Sequence, residues 1–192
     1  PVVVLKAGKS ARAAAAIQTH TGGMAGQAQV FSAVLKAHHA IEVNDLEELT
    51  EVLSVLQGAR LPTGDRIAVV TGSGGHAELL LDMSSRAGIN LPPLPIKTRE
   101  TIEAGVGSLT GDGNPIDAWG QGDFSENFTL AFGEAASSGA YDAVVLSIDA
   151  NDGQAIDYLG QDEVVTRLLI DTNASIEQPL YLMSTRHGVQ KS

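Results

Sequence analysis

In two segments of the sequence, a run of aliphatic residues is followed by glycines and then by apolar residues at helical spacing. The first run begins at Val2 and the second at Ile67, directly after Arg66. Repeated strand, turn and helix segments predict parallel sheets that are covered by helices on both faces. Ligands bind such sheets at the carboxyl ends of the strands, which is where both glycine-rich turns fall.

A turn-forming segment, residues 61–65, separates the two repeats and is the predicted domain boundary. We therefore expect two α/β units of related design, residues 1–60 and 61–192. The sequence opens inside an apparent strand, so the first unit is expected to be truncated on its N-terminal side. The chain is accordingly predicted to be a fragment of a longer polypeptide.

The charge balance is acidic, with 12 Lys and Arg against 23 Asp and Glu, a net charge of −11. An acidic surface repels nucleic acid and anionic membranes, so neither partner is expected. Cysteine is absent, which excludes disulfides and thiolate chemistry and, without a signal peptide, predicts a cytoplasmic protein. The histidines and carboxylates show no metal-ligand spacing, and no metal site is predicted.

The first glycine-rich segment, residues 19–26, contains His20 followed by Gly22 and Gly23. A neutral imidazole is a competent nucleophile toward a phosphoryl group. Glycines allow the backbone to approach a ligand closely, and the free amides of a helix N-terminus favour an anion. We expect His20 to lie just before the start of a helix. There it is either a phosphate carrier or a surface histidine that hydrogen-bonds only its own turn.

The second glycine-rich segment, residues 71–75, follows the strand predicted at residues 66–71. It lacks the lysine of a P-loop and the third glycine of the dinucleotide fingerprint. An anion site and a simple tight turn both fit this pattern. His76 opens the next helix, where it either contacts an anion or is solvated.

These segments resemble the NDP-forming acyl-CoA synthetases, which are relatives of succinyl-CoA synthetase. The matching motifs lie in order at residues 1–10, 19–26, 43–49, 66–75 and 113–117. The resemblance implies an α/β fold of two flavodoxin-like units. Residues 1–60 would be the C-terminal part of the phosphohistidine domain, and residues 61–192 a second succinyl-CoA ligase-like domain. Among subgroups, the chain resembles the aryl- or feruloyl-CoA synthetases.

Enzymes of this family join a carboxylic acid to CoA with ATP, and they release ADP and phosphate through a phosphohistidine. The resemblance assigns that histidine to His20. It assigns phosphate binding to Gly22, Gly23, Ser73, Gly74 and Gly75. It also implies that ATP and Mg2+ are bound outside this chain and that CoA is a substrate. ATP-grasp and CoA-binding domains would be partners, the protein would be an oligomer, and only the full-length protein would be active. Gly72 and His76 depart from the family pattern, where Asn and Pro are frequent.

Two other functions fit the same fold. A regulatory domain of a protein acetyltransferase would bind an effector and transfer no phosphate, and the presence of His20 argues against it. A phosphoacceptor signalling domain would need acidic residues at the strand ends. Asp149 and Asp152 are candidates, but no companion Asp pair follows the first strand.

Overall fold

The computed structural model describes residues 1–21, 26–58, 60–148 and 161–184. The chain divides into two compact units, Pro1–Ala59 and Arg60–Ser192. Within these residues the strands form two separate sheets, and every pairing is parallel. The predicted α/β class with parallel sheets is therefore confirmed. Asp149 and Asp152 lie outside the described residues, as do Gly22 and Gly23.

The described residues of the first unit form a small sheet and three helices. Its elements are β1 (Val3–Leu5), α1 (Ala11–Thr21), α2 (Ala28–Ala37), β2 (Ile41–Val43) and α3 (Leu46–Leu56). β1 pairs with β2 in parallel, with Val4 opposite Glu42. Val43 is the only fully buried side chain among the described residues of this unit. Its core is therefore thin.

Helix α1 corrects the sequence prediction for the segment around His20. His20 was expected to lie just before the start of a helix, yet α1 occupies most of the small-residue stretch between Ala7 and Gly23. Alanine has the highest helix propensity, and the run at residues 13–16 consists of alanine alone. Ser10 begins the helix, since its Oγ accepts a hydrogen bond from the amide of Ala13 at 3.2 Å. His20 therefore lies in the last turn of α1 rather than immediately before a helix.

The second unit has a four-stranded sheet. Its elements are β3 (Ile67–Thr71), α4 (Gly74–Ala87), α5 (Ile96–Val106), β4 (Ile116–Asp117), α6 (Phe124–Ser137), β5 (Ala143–Ser147), α7 (Gln161–Ser175) and β6 (Leu180–Met183). The strand order is β4-β3-β5-β6. This order matches the start of the flavodoxin-like arrangement, in which the chain reverses direction between its first and third strands. The topological switch point of this unit therefore lies between β3 and β5.

Helices cover both faces of this sheet. Alternate strand residues such as Val70 and Leu146 join a core cluster with Ile102 of α5, Phe128 of α6 and Leu168 of α7. Full burial of one such large side chain stabilises the fold by roughly 1.5–3 kcal/mol. The opposite face meets α4, whose Ala77 and Leu80 are buried. α4 thus packs on the face of the sheet that the core cluster does not use.

The last two residues of the segment 113–117 form β4. The side chain of Asn114 occupies the edge of β3 just ahead of that strand. Its Oδ1 accepts from the amide of Val69 at 3.0 Å, and its Nδ2 donates to the carbonyls of Ile67 at 2.9 Å and Pro92 at 2.8 Å. The asparagine therefore has a structural role.

Across the described ranges, none of the helices has both the length and the apolar character needed to cross a membrane.

Candidate functional site

Lys9, in the turn after β1, contacts one residue of β2 and one residue just beyond its carboxyl end. Its ammonium lies 3.0 Å from Glu42 Oε1 and donates to Asn44 Oδ1 at 3.1 Å. A hydrogen bond with Ser32 and the neighbouring Lys9 hold the pKa of Glu42 below its usual value. These contacts fix the turn between β1 and α1 on the edge of the sheet where ligands are expected.

Gly8 allows α1 to pack against that turn. Its φ is +82°, and a Cβ at this position would lie only 2.5 Å from Ile17 Cδ1. A side chain would therefore be strained and would displace the helix. Since Ile17 precedes His20 by one turn, Gly8 also helps to set the position of the histidine.

His20 is exposed in the last turn of α1. The hydroxyl of the preceding Thr19 donates to the carbonyl of Ala16 at 2.9 Å, so it is turned back onto the helix. The C-terminal end of a helix presents free carbonyl groups and is the negative end of the helix dipole. At this end, α1 therefore offers carbonyl acceptors and no free amide donors for a phosphate on His20. The predicted donors beside His20 are Gly22 and Gly23, outside the described residues.

The first turn of α4 presents backbone amides in the second unit. Ser73 is the N-cap, and its Oγ accepts from the amide of His76 at 3.4 Å. Gly74 and Gly75 are the first two helical residues, and the amides of a first turn have no acceptor within the helix. This 14-residue helix also directs the positive end of its dipole at the same place. The segment can therefore hold an anion.

The glycines of this segment differ in what surrounds them. A Cβ at Gly72 would lie 3.0 Å from Phe128 Cζ, and one at Gly74 would lie 3.1 Å from Asp117 Oδ2. A Cβ at Gly75 would meet nothing within 4 Å. Packing restricts the first two positions, whereas the fold leaves open space at Gly75.

Polar side chains end three neighbouring strands at this edge. Thr71 of β3 lies in register with Asp117 of β4 on one side and Ser147 of β5 on the other. Thr71 Oγ1 is hydrogen-bonded to His76 Nδ1 at 3.1 Å. Neither Thr71 nor Ser147 is singled out from the sequence. The available signal is their position as the last residue of a parallel strand.

His20 and the first turn of α4 belong to different units. No group of three or more His, Cys, Asp or Glu side chains suited to a metal ion occurs in the described part of either unit.

Comparison with known proteins gives a consistent set of relatives. Residues 1–56 match the model of the succinyl-CoA ligase like flavodoxin domain. The chain is 32% identical over 125 residues to an ADP-forming 4-hydroxybutyrate–CoA ligase of Nitrosopumilus maritimus, covering 65% of this chain and 18% of that protein. It is 32% identical over 117 residues to the alpha subunit of an ADP-forming acetate–CoA ligase II of Pyrococcus furiosus, covering 61% of this chain and 25% of the subunit.

A solved structure shares the fold. It is an acetyl-coenzyme A synthetase of Ca. Korarchaeum cryptofilum in complex with phosphate and ADP, with a TM-score of 0.80 and 21% sequence identity. The match covers 96% of this chain and 39% of that one. The chain thus spans a quarter or less of the length of the two curated relatives.

Proposed function

Because this chain belongs to the family of NDP-forming acyl-CoA synthetases, we propose that it is part of an acid–CoA ligase. The enzyme would form acyl-CoA from a carboxylic acid, CoA and ATP, and release ADP and phosphate. The observation that carries this proposal is the family match of residues 1–56, the segment that contains an exposed histidine at position 20. The ADP-forming ligases among the relatives support the reaction class.

In this proposal His20 carries the phosphoryl group. Its imidazole nitrogen attacks the γ-phosphorus of ATP, an N–P bond forms, and ADP leaves. A carboxylate oxygen of the acid then takes the phosphoryl group from the ring and becomes an acyl phosphate. The sulfur of CoA attacks the acyl carbon, and phosphate departs. Thr19 is unsuited to the first step, because its hydroxyl is bonded to its own helix.

The backbone amides of the predicted glycines would stabilise the phosphoryl oxygens. Gly22 and Gly23 are proposed beside His20, and Ser73, Gly74 and Gly75 at the first turn of α4. Aligned amide donors stabilise charge that develops on oxygen without the need to reorganise solvent. The open space at Gly75 supports this assignment, since it leaves room for a ligand close to the backbone.

Other parts of the enzyme complete the proposal. ATP-grasp and CoA-binding domains, in the same protein or in a partner subunit, would bind ATP with Mg2+ and CoA, and the assembly would be an oligomeric cytoplasmic enzyme. The alpha-subunit relative supports a division of such a ligase between chains. The named relatives act on acids of different length, so the proposal specifies a carboxylic acid and no individual substrate.

Labelling of the full-length protein tests the phosphohistidine. We expect incubation with γ-labelled ATP and Mg2+ to give a label that is labile to acid and stable to base. The variant His20→Asn should lose the label, because an amide cannot form the phosphoramidate. His38→Asn is the matched control, since His38 is also an exposed histidine at the end of a helix. A label that persists in His20→Asn would exclude His20 as the carrier.

The same experiment distinguishes the proposed ligase from the alternative function. A regulatory domain of a protein acetyltransferase would acquire no acid-labile label on this chain and would form no acyl-CoA.

A further inference from the structure

A buried hydroxyl at the carboxyl edge of the second sheet has no hydrogen-bond partner among the residues that the structure describes. Ser147 is 1% exposed, and its Oγ is unsatisfied. Buried polar groups without a partner are rare in native proteins and destabilise them. Such a group at the end of a parallel strand is therefore a candidate contact for a ligand.

Ser147 lies on the α4 side of the sheet. It is in register with Thr71 on the neighbouring strand, and residues in register on paired strands point to the same face. Thr71 faces α4, because its hydroxyl contacts His76 in the first turn of that helix. The free hydroxyl is thus on the same side as the amides of Gly74 and Gly75, at the switch point between β3 and β5.

Asp117 makes the opposite side of this turn unfavourable for an anion. Its Oδ2 lies 3.1 Å from the position of a Cβ on Gly74, and its Oδ1 accepts from the amide of Trp119 at 3.1 Å. This carboxylate, on the β4 side of β3, repels a second negative charge. An anion drawn to the first turn of α4 is therefore directed toward β5 and Ser147.

His76 brings a further donor to the same turn. A hydroxyl that donates to Nδ1 leaves the proton of a neutral imidazole on Nε2. The contact between Thr71 Oγ1 and His76 Nδ1, at 3.1 Å, is suited to this arrangement. Nε2 is then available to donate to a ligand oxygen.

We propose that Ser147 and His76 bind an oxyanion, a phosphoryl or carboxylate group, between β3 and β5, and that Thr71 positions the ring of His76. This inference rests on the proposed function and adds two side-chain donors to the backbone amides of α4. It also assigns a role to His76, one of the two positions at which the second glycine segment departs from the family pattern.

Titration of the 192-residue chain with inorganic phosphate, and separately with acetate, tests the inference. We expect one of the two anions to shift the Nε2 resonance of His76 in 15N NMR spectra. A hydrogen bond to a charged group corresponds to a change in affinity of about tenfold or more. Ser147→Ala should therefore bind that anion about tenfold more weakly, while its denaturation midpoint stays the same or rises. A purely structural serine would not combine these two changes.

Two further variants complete the test. Thr71→Val keeps the side-chain shape but removes the hydroxyl, so the tautomer signature of His76 should change and anion affinity should fall. Ser138→Ala is the control, since Ser138 already donates to the carbonyl of Ala135 at 2.8 Å. It should leave anion affinity unchanged.

Unchanged anion affinity in both Ser147→Ala and Thr71→Val would overturn this inference. It would leave phosphoryl transfer standing, because His20 labelling is measured separately. If the unsubstituted chain binds neither anion, the inference and the phosphate role of α4 are both wrong. A response to phosphate alone or to acetate alone supports the site and identifies which oxyanion it takes.

Discussion

Identical residues in the segment 72–75 have different physical roles. A Cβ at Gly72 would meet the ring of Phe128 and one at Gly74 the carboxylate of Asp117, whereas Gly75 faces open space. The sequence predicts a glycine-rich turn after a strand, which the structure confirms. It does not distinguish the three glycines, because their neighbours come from β4 and α6, far along the chain.

Gly75→Ala and Gly72→Ala should therefore have opposite consequences. The alanine at 75 should change the free energy of unfolding by no more than about 0.5 kcal/mol while reducing ligand-dependent phosphoryl transfer, since its methyl group occupies the ligand's approach. The alanine at 72 should destabilise the fold by about 1–3 kcal/mol, because it meets Phe128. Chemical denaturation, together with His20 labelling in the full-length protein, measures both effects. Full labelling of Gly75→Ala would argue against phosphate binding at this position.

Asn114→Ala should destabilise the second unit strongly. It removes three hydrogen bonds and leaves the amide of Val69 without an acceptor at the edge of β3. We expect a loss of about 2–4 kcal/mol in the free energy of unfolding. Asn114→Asp is the sharper comparison, because it restores the acceptor but places a carboxylate against the carbonyls of Ile67 and Pro92. A midpoint close to that of the unsubstituted protein in either variant would contradict this structural role.

At the scale of elements, helix α1 and strand β4 are the two that could not be predicted from the sequence pattern. Continuous apolar runs predict β3 and β5 correctly, because these strands are mostly buried, and a shorter run predicts the half-buried β6. α1 is missed because its alanine run has no apolar periodicity, although it has high helix propensity. β4 is missed because two residues are too few to show a period. Its position depends on Asn114, whose partners lie elsewhere in the chain.

Gly133→Ala should stabilise α6. Gly133 lies inside this helix, and a Cβ there would meet nothing within 4 Å. Alanine lowers the entropy of the unfolded chain, so we expect a gain of about 0.5–1 kcal/mol in the free energy of unfolding. Gly88→Ala is the control: Gly88 caps α4 with a φ of +67°, and alanine should be destabilising there. Thermal denaturation compares the two, and a lower midpoint for Gly133→Ala would disagree with the packing described for α6.

An ion pair joins the amino ends of β3 and β5 and should make stability depend on pH. Arg66 Nε and Nη2 each lie 3.0 Å from a carboxylate oxygen of Asp142. The hydrogen bonds from the Arg66 side chain hold the pKa of Asp142 below its usual value. The ionised carboxylate therefore stabilises the fold at pH above the unfolded pKa, about 3.9. This contribution is lost as the pH falls through the lower folded pKa.

Asp142→Asn should remove that dependence. Urea denaturation of both proteins between pH 2.5 and 6 should show their difference in stability shrinking as the solution becomes acidic. A difference that stays constant over this range would mean that Asp142 titrates alike in the folded and unfolded chain.

At the scale of the whole molecule, the charge is unevenly divided. Residues 1–59 contain four Lys and Arg and five Asp and Glu, whereas residues 60–192 contain eight and eighteen. The histidine proposed as carrier thus lies on a nearly neutral unit, and the acidic excess lies on the other. The overall composition, with its net charge of −11, conceals this division. It becomes visible only when the chain is divided at the boundary between the units.

Because His20 lies in the last turn of α1, we expect its phosphorylation to change the stability of that turn. The last turn of α1 is the negative end of the helix dipole, and a phosphoryl group on the ring of His20 places further negative charge there. Loading the carrier should therefore loosen residues 17–21, and unloading it should rewind them. Hydrogen exchange of these amides should be faster in the phosphorylated protein than in the unphosphorylated one. Equal exchange rates would mean that the helix does not respond to the group on its final turn.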